Sequence, residues 1–209
     1  MKQLLSLVSS TIKGSKEQFA HYGETIIDMA IDNEAWENIP LVDNATKILN
    51  IKDVYKKNKL KRNYAEFLKA IQEMNQVEID RYLNYIMADD LLSEDTAETI
   101  FEIITDAEKP LKANLLGNLS VALSKDKINL KEYNTLILMI QNASIPALKS
   151  VPEFIKNNEL KLHKNGMGTI EQEALIISLG VATRSGSMFR LDKRGQKLVE
   201  YGFKLKIHT

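Results

Sequence analysis

Apolar residues recur along this chain with the spacing of α-helices. Four segments carry apolar side chains at positions i, i+3, i+4 and i+7, which puts a single apolar stripe on one face of each predicted helix. The four stripes are Tyr64/Phe67/Leu68/Ile71, Ile79/Tyr82/Leu83/Ile86, Ala97/Ile100/Phe101/Ile104 and Tyr133/Leu136/Ile137/Ile140. Two more are Phe19/Tyr22/Ile26/Met29/Ala30 and Leu111/Leu115/Leu116/Leu119/Leu123. The pattern predicts at least six helices before residue 142, and we expect the leucine-rich helix to lie deep in the core.

Short polar residues followed three positions later by Glu or Gln indicate where several helices begin. In such a capping box the two side chains bond each other's backbone N–H groups. The pairs are Ser15…Gln18, Asn75…Glu78, Asp95…Glu98 and Asn129…Glu132. We also expect Asp106 to cap a helix with Pro110 near its first turn, and Ser144 to cap a helix that contains Pro152.

After residue 179 the pattern changes from helical spacing to alternation. A short helix over 171–179 is expected to end at Gly180. Two short strands over 181–183 and 188–191, around the turn Ser185-Gly186-Ser187, predict a β-hairpin.

Asp192 is expected to cap a last helix that runs through Tyr201 and stops at Gly202. Helix, hairpin and helix together are the outline of a winged-helix-like module. The sequence therefore predicts a mainly α protein: an antiparallel multi-helix bundle over 1–158, a polar linker over 159–169, and a small winged-helix-like module with a β-hairpin over 170–209.

Composition narrows the classes of function. The sequence has no cysteine, which rules out disulfides and cysteine zinc sites within it and suits a cytoplasmic location. Its longest apolar run, residues 136–140, is far shorter than the roughly 20 residues of a membrane-spanning helix. The histidines, His21, His163 and His208, have no ligand spacing, and no phosphate loop or nucleophile elbow is present. We expect no cofactor, no metal and no catalytic residue.

Charge is segregated although the net charge is zero. Residues 1–46 have a net charge of −4, residues 47–62 of +6, residues 63–110 of −9 and residues 111–209 of +7. Such asymmetry is typical of proteins that bind charged partners, but opposed blocks also neutralise one another within a chain. The carboxylates of Asp89, Asp90, Glu94, Asp95 and Glu98 are interpreted as charge near a helix N-terminus.

The basic block is predicted to form an amphipathic helix. Its apolar positions, among them Val54, Tyr55 and Leu60, are flanked by lysines, so it can lie against anionic lipid, nucleic acid or an acidic partner. It can also dock on the chain's own acidic 63–110 block, which we favour. The single tryptophan precedes this block, and we interpret it as local packing with partner docking as the alternative. The candidate partner-docking residues are Trp36, Lys52, Lys56, Lys57, Lys59 and Arg62.

The C-terminal module carries a second set of basic residues, candidates for contact with nucleic acid or an acidic partner. They are Arg184, Arg190, Lys193, Arg194 and Lys197. Lysine and arginine neutralise phosphates with a marked dependence on salt. The helix before the hairpin, however, is short and mostly apolar and lacks side chains that read base edges.

The chain resembles a diffuse family of bacterial and phage-borne helical proteins. The resemblance lies in WENIPLVDNATKILNIKDVYKKNKLKRNYAEFLKAI, ITDAEKPLKANLLGNLSVAL and GVATRSGSMFRLDKRGQKLVEYG, and the last stretch is also similar to the end of the abortive-infection alpha proteins. Phe189 and Asp192 stand where that pattern has Tyr and Thr, and the turn Val42-Asp43-Asn44 is polar where the pattern is apolar. The resemblance implies a setting, conflict between bacteria and mobile elements, and no catalytic residues.

Three hypotheses from different classes follow. We favour a non-enzymatic helical interaction protein, an accessory or counter-defence component that binds another protein. The alternative is a DNA-binding regulator that uses the basic C-terminal module. An enzyme with a carboxylate or metal site is the third hypothesis, and the oligomeric state is left open.

Overall fold

The computed structural model describes residues 6, 8–10, 12–13 and 47, and then 53–88, 90–166 and 170–208. The protein is mainly helical, with a small three-stranded antiparallel sheet toward its C-terminal end. The helices are α1 (Val54–Ile71), α2 (Gln76–Ile86), α3 (Asp90–Asp106), α4 (Pro110–Ser124), α5 (Leu130–Asn142) and α6 (Ile145–Asn157). We call α1–α6 the helical body. All four predicted stripes within it are buried, whereas the Phe19 stripe lies outside the described residues.

Helix α4 is the centre of the helical body, as its leucine-rich stripe predicts. Its residues from Leu115 to Ser124 are all buried, because helices pack around it on several sides. The closest neighbour is α1, which approaches at Gly117. A Cβ on Gly117 would lie 2.5 Å from Ala70 Cβ and 3.0 Å from the carbonyl oxygen of Phe67. The missing side chain is therefore what lets the two helices pack this closely.

Three hydroxyl groups meet inside this apolar core. The hydroxyls of Tyr82 (α2) and Tyr133 (α5) are 2.7 Å apart, and Ser120 Oγ (α4) lies 3.2 Å from the first and 3.0 Å from the second. Ser120 also donates to the carbonyl of Leu116 at 2.9 Å. Burial raises the pKa of Tyr82 to about 12 and also raises the pKa of Tyr133. The cluster satisfies polar groups that would otherwise be costly to bury.

Most of the predicted helix starts in the described part of the chain are confirmed. Asn75 and Asn129 form complete capping boxes with Glu78 and Glu132, and Ser144 Oγ accepts from the backbone N–H of Ala147. The Ser15 prediction lies outside the described residues.

Two predicted caps are wrong. Helix α3 begins at Asp90, five residues before the predicted cap Asp95, so that Asp95 lies inside the helix. Asp106 ends α3, and Lys109 occupies the N-cap of α4 with Pro110 directly after it. Helix α3 thus starts before its predicted cap, and its last residue occupies the position predicted to cap α4.

The C-terminal part consists of strand β1 (His163–Asn165), helix α7 (Glu173–Ser178), strands β2 (Ala182–Ser185) and β3 (Met188–Leu191), helix α8 (Lys193–Lys197) and a π-helical turn (Leu198–Gly202). We call these elements the C-terminal module. The strand order is β1-β3-β2, and both pairings are antiparallel. Strand β1 lies inside the interval 159–169 that was expected to be a linker. Leu160 and Leu162 of that interval pack against the core, so residues 160–165 are structured where the polar composition predicts a loop.

The hairpin and the last helix follow the prediction closely. Gly180 has φ +69° after α7, and Gly186 has φ +58° in the turn between β2 and β3, a backbone region that favours glycine. Asp192 caps α8 by accepting from the N–H groups of Arg194 and Gly195. Gly202 does not end the helix by a left-handed turn; it lies in the π-helical turn, and its carbonyl accepts from Asn118 of α4 at 2.8 Å.

The C-terminal module shares the apolar core of the helical body. Phe189 of β3 is buried against Phe154 of α6, with ring centroids 5.1 Å apart and ring planes at 78°. Gly195 packs against Val181, the residue before β2, because a Cβ on Gly195 would lie 2.5 Å from the carbonyl oxygen of Val181. Among the described residues, no helix has the length and apolar character that crossing a bilayer requires.

Candidate functional site

A groove lies between α3 and α5 of the helical body. Its volume is about 900 Å³. One wall is α3, where Asp95, Glu98 and Glu102 follow one another at spacings of three and four residues and therefore share a helix face. The groove thus has a row of carboxylates along one side.

The opposite wall and the floor come from α5, and most of the accessible surface of the groove is apolar although Lys131, Asn134 and Thr135 also line it. Leu130, Ile137 and Leu138 line the groove, and Leu138 is 52% exposed although it belongs to a long apolar run. Thr96 of α3 donates to Asn134 Oδ1 of α5 at 3.1 Å and ties the two walls together at the base. The walls are therefore held in place while Leu138 stays accessible.

One end of the groove is closed by a contact between its walls. Gln141 of α5 donates a hydrogen bond to Glu102 of α3. Beyond this contact lies a second cavity of about 370 Å³, where Lys112 Nζ donates to the carbonyl of Gln141 at 2.7 Å. Burial lowers the pKa of Lys112. The end of the groove is thus built from polar groups that already bond one another.

The sequence did not predict this groove. Its carboxylates were interpreted as charge near a helix N-terminus, but α3 begins at Asp90 and places Asp95 and Glu98 inside the helix. One signal was available: Leu138 is apolar yet lies off the buried stripe of α5. Among the residues that the structure describes, no three His, Asp or Glu side chains are grouped so as to hold a metal ion.

The structure uses three of the five predicted basic residues of the C-terminal module in salt bridges. Arg184 binds Glu173 of α7 through two bonds, Nε–Oε1 at 2.5 Å and Nη2–Oε2 at 2.6 Å, and its guanidinium lies 6.0 Å from the centre of the Phe189 ring. This hydrogen-bonded arginine lowers the pKa of Glu173. Arg184 therefore fastens α7 to β2.

The remaining members of that set differ in their surroundings. Arg194 Nη2 pairs with Asp192 Oδ2 at 2.8 Å, and Lys197 pairs with Glu132 at the start of α5. The hydrogen bond from Lys197 is the main reason that the pKa of Glu132 is lowered, and the nearby charge of Lys193 adds to the effect. Within the described part of the chain, Arg190 and Lys193 are exposed and form no salt bridge.

Only some of the predicted partner-docking residues lie in the described part of the chain. Trp36 and Lys52 lie outside the described residues. Lys56 and Arg62 are exposed on α1 and Lys57 is half-buried.

Lys59 pairs with Asp106 Oδ1 of α3 at 3.1 Å, a contact of the basic helix with the chain's own acidic block. Val54 and Tyr55, which the predicted stripe includes, are 70% and 68% exposed. The stripe therefore becomes a buried one from Leu60 onward.

No family model matches this chain, and no curated protein or solved structure matches it. The family resemblance of the sequence thus stays a prediction.

Proposed function

We propose that the protein is a non-enzymatic helical interaction protein that binds another protein in the groove between α3 and α5. The observation that carries the proposal is the combination of an apolar floor, a half-exposed leucine and a row of carboxylates on one wall. The resemblance to bacterial and phage-borne families suggests the setting, as an accessory or counter-defence component in conflict between bacteria and mobile elements.

The groove suits an amphipathic helix with a basic flank. From Asp95 to Glu102 the wall of α3 is about 10 Å long at 1.5 Å per residue, which corresponds to roughly two helical turns. An apolar face of a partner helix would cover Leu138 and Ile137, and lysines or arginines beside that face would lie over Glu98 and Glu102. Groove binding of this kind uses apolar anchors for affinity and charges for orientation and selectivity.

A peptide experiment tests the groove directly. The probe is a fluorescent amphipathic helical peptide of leucine, alanine and lysine, and the matched probe has glutamate at every lysine position. We expect the lysine peptide to bind, the glutamate peptide to bind at least tenfold more weakly, and Leu138→Asp to weaken the lysine peptide by about tenfold, since 1.4 kcal/mol is a factor of ten. Fluorescence anisotropy measures all three.

Two control variants separate the groove from the rest of the surface. Val77→Asp changes an apolar side chain on α2 that is 66% exposed and does not line the groove, and Glu153→Lys reverses an exposed charge on α6. Both should bind the lysine peptide as the unchanged protein does, whereas Glu98→Lys should weaken it. Equal loss in Val77→Asp and Leu138→Asp would count against the groove.

We also propose that the C-terminal module is winged-helix-like and acts mainly as a structural closure. In support, a helix lies between β1 and β2, the sheet order is β1-β3-β2, and a tight hairpin joins β2 to β3. Phe189 and Leu191 of the hairpin are buried against the helical body.

The alternative function, a DNA-binding regulator that uses the basic C-terminal module, has less support as a reader of bases. Helix α7 is six residues long, Ile176 is buried, and Glu173 is engaged by Arg184. Base reading needs polar side chains presented to a groove of the duplex. Because Arg194 pairs with Asp192, the cap of α8, charge reversal at Arg194 should lower the melting temperature. It should change DNA binding little. A melting curve and a gel shift measure the two effects.

A further inference from the structure

The outward face of the C-terminal sheet brings together basic side chains from three separate stretches of the chain. His163 of β1 lies directly opposite Arg190 of β3 in the antiparallel register. Lys161 precedes His163 by two residues, about 7 Å along an extended chain, and an isolated bridge pairs Lys161 with His208. Lys206 precedes His208 by two residues. We call Lys161, His163, Arg190, Lys206 and His208 the basic face.

The alternation of burial directs these five side chains to solvent. All five are exposed, and most of the residues that alternate with them pack against the core, although Lys164 after His163 is exposed as well. The packed residues are Leu160, Leu162, Phe189, Leu191, Leu205 and Ile207. Because successive side chains of an extended chain point to opposite sides, the basic face lies on the side away from the helical body.

The charges of the basic face are available to a ligand. Within the described residues, Arg190 and Lys206 take part in no salt bridge. Lys161 is paired with Glu159 at 2.5 Å, but both side chains are exposed, and an exposed pair contributes little and exchanges readily. A phosphate group can replace Glu159 at small cost.

We infer that the basic face binds the sugar–phosphate backbone of a nucleic-acid duplex, without reading its bases. Beside the cations, the same sheet carries Thr183 opposite Arg190, and hydroxyl groups of this kind donate to phosphate oxygens. Met188, 40% exposed, is the one large apolar side chain that β1–β3 present to solvent. A protein partner would require a larger apolar centre, whereas backbone contacts require none.

The test is binding of a fluorescent DNA duplex of roughly 20 base pairs, followed by anisotropy from about 50 to 200 mM NaCl. Three cations, Lys161, Arg190 and Lys206, predict a slope of log K against log salt of about −2.7, and so a roughly 40-fold loss of affinity over that range. Duplexes of unrelated sequence should bind equally. An RNA duplex of the same length shows which kind of backbone is preferred, and binding of either duplex supports the inference.

Charge reversal locates the binding. Arg190→Glu and, independently, Lys206→Glu should each weaken duplex binding about tenfold or more at low salt and make the slope less steep. Lys149→Glu, which changes the same charge at an exposed position of α6, should leave binding unchanged. Melting curves establish that each variant is folded, and two variants from separate stretches guard against a folding defect in one.

Three results would overturn the inference. The first is no binding at 50 mM NaCl. The second is an equal loss of binding in Lys149→Glu and Arg190→Glu, which would mean that only overall charge matters. The third is that polyglutamate binds as tightly as the duplex and loses the same affinity in Arg190→Glu, which would assign the basic face to an acidic protein.

Discussion

Uncharged groups meet at the centre of the helical body, whereas salt bridges supplement the apolar contacts of the C-terminal module. In the body, α1 and α4 meet at Gly117 and Ala70, and the polar groups at its centre are the uncharged hydroxyls of Tyr82, Ser120 and Tyr133. In the module, Arg184 fastens α7 to β2, and Lys197 fastens α8 to the start of α5.

The difference follows from the size of the elements. Helices of 11 to 18 residues bury a continuous apolar face, but the strands and helices of the C-terminal module have three to six residues. Short elements bury little apolar area, so side-chain hydrogen bonds and ion pairs contribute more of what positions them. A count of basic residues in such a module therefore overstates the number of charges that are free to bind a ligand.

The module also depends on apolar anchors, of which Phe189 is the largest, and removing its ring should have the largest effect on stability. Phe189→Ala takes away a fully buried ring that packs on Phe154, and we expect a loss of about 3–5 kcal/mol in the free energy of unfolding. Urea denaturation measures it. Met188→Ala, at the neighbouring exposed position, should change stability by less than about 0.5 kcal/mol. A small loss in Phe189→Ala would mean that the contact with Phe154 contributes little to holding the module.

In the helical body, the packing of α1 against α4 can be tested by changing the residues at their closest approach. Gly117→Ala puts a Cβ 2.5 Å from that of Ala70, and overpacking should cost about 2 kcal/mol despite the better helix propensity of alanine. Ala70→Gly alone should cost about 1 kcal/mol. The double variant should be more stable than the sum of the two losses predicts, and additive losses would contradict the proposed contact.

The buried hydroxyl cluster predicts sensitivity to alkaline pH. Tyr133→Phe should cost about 1–2 kcal/mol, because Ser120 and Tyr82 lose a partner in the core. Since burial raises the folded pKa of Tyr82 from 10.0 to about 12, its stabilisation is complete below pH 10 and is lost as the pH rises toward 12. Tyr82→Phe should flatten this part of the stability curve. A curve of unchanged steepness would contradict the assignment.

Removing the salt bridge between Lys197 of the module and Glu132 of the body should have the smallest effect on stability. Lys197→Ala should cost under about 1 kcal/mol, because both partners are partly solvated. The lowered pKa of Glu132 means that its contribution is present above pH 4.5 and is lost as the pH falls through the folded value. Glu132→Gln should lessen the acid dependence of melting, and Glu153→Gln at an exposed site should leave it unchanged.

Much of the fold could be predicted from the sequence because its signals are local. Each apolar stripe of α1 to α5 can be recognised from the residues of a single helix. The same holds for the capping residues Asn75 and Asn129. Where the signal was local but weaker than packing, the prediction was wrong: Asp95 looks like a cap, yet the helix starts at Asp90. Strand β1 was missed because its three residues are polar and gain strand structure only by pairing with β3.

The candidate sites were harder to predict because they join distant residues. Leu138 and Glu98 approach across two helices, and Lys161 meets His208 only through the folding of the C-terminal module. The basic residues near residue 190 were correctly located on a hairpin and a capped helix. Their partners Glu173 and Glu132 are 11 and 65 positions away, a relation that charge patterning along the chain does not reveal.

One consequence concerns the order in which the protein can complete its fold during synthesis. Asn118 lies on the central helix, but the carbonyl that its side chain bonds belongs to Gly202, 84 positions later. Within α4 the same side chain also donates to Asn114 at 3.1 Å, so only the bond to Gly202 waits for the end of synthesis. A nascent protein arrested near residue 190 leaves this face of α4 uncovered, and we expect proteases to cut it faster than the full chain.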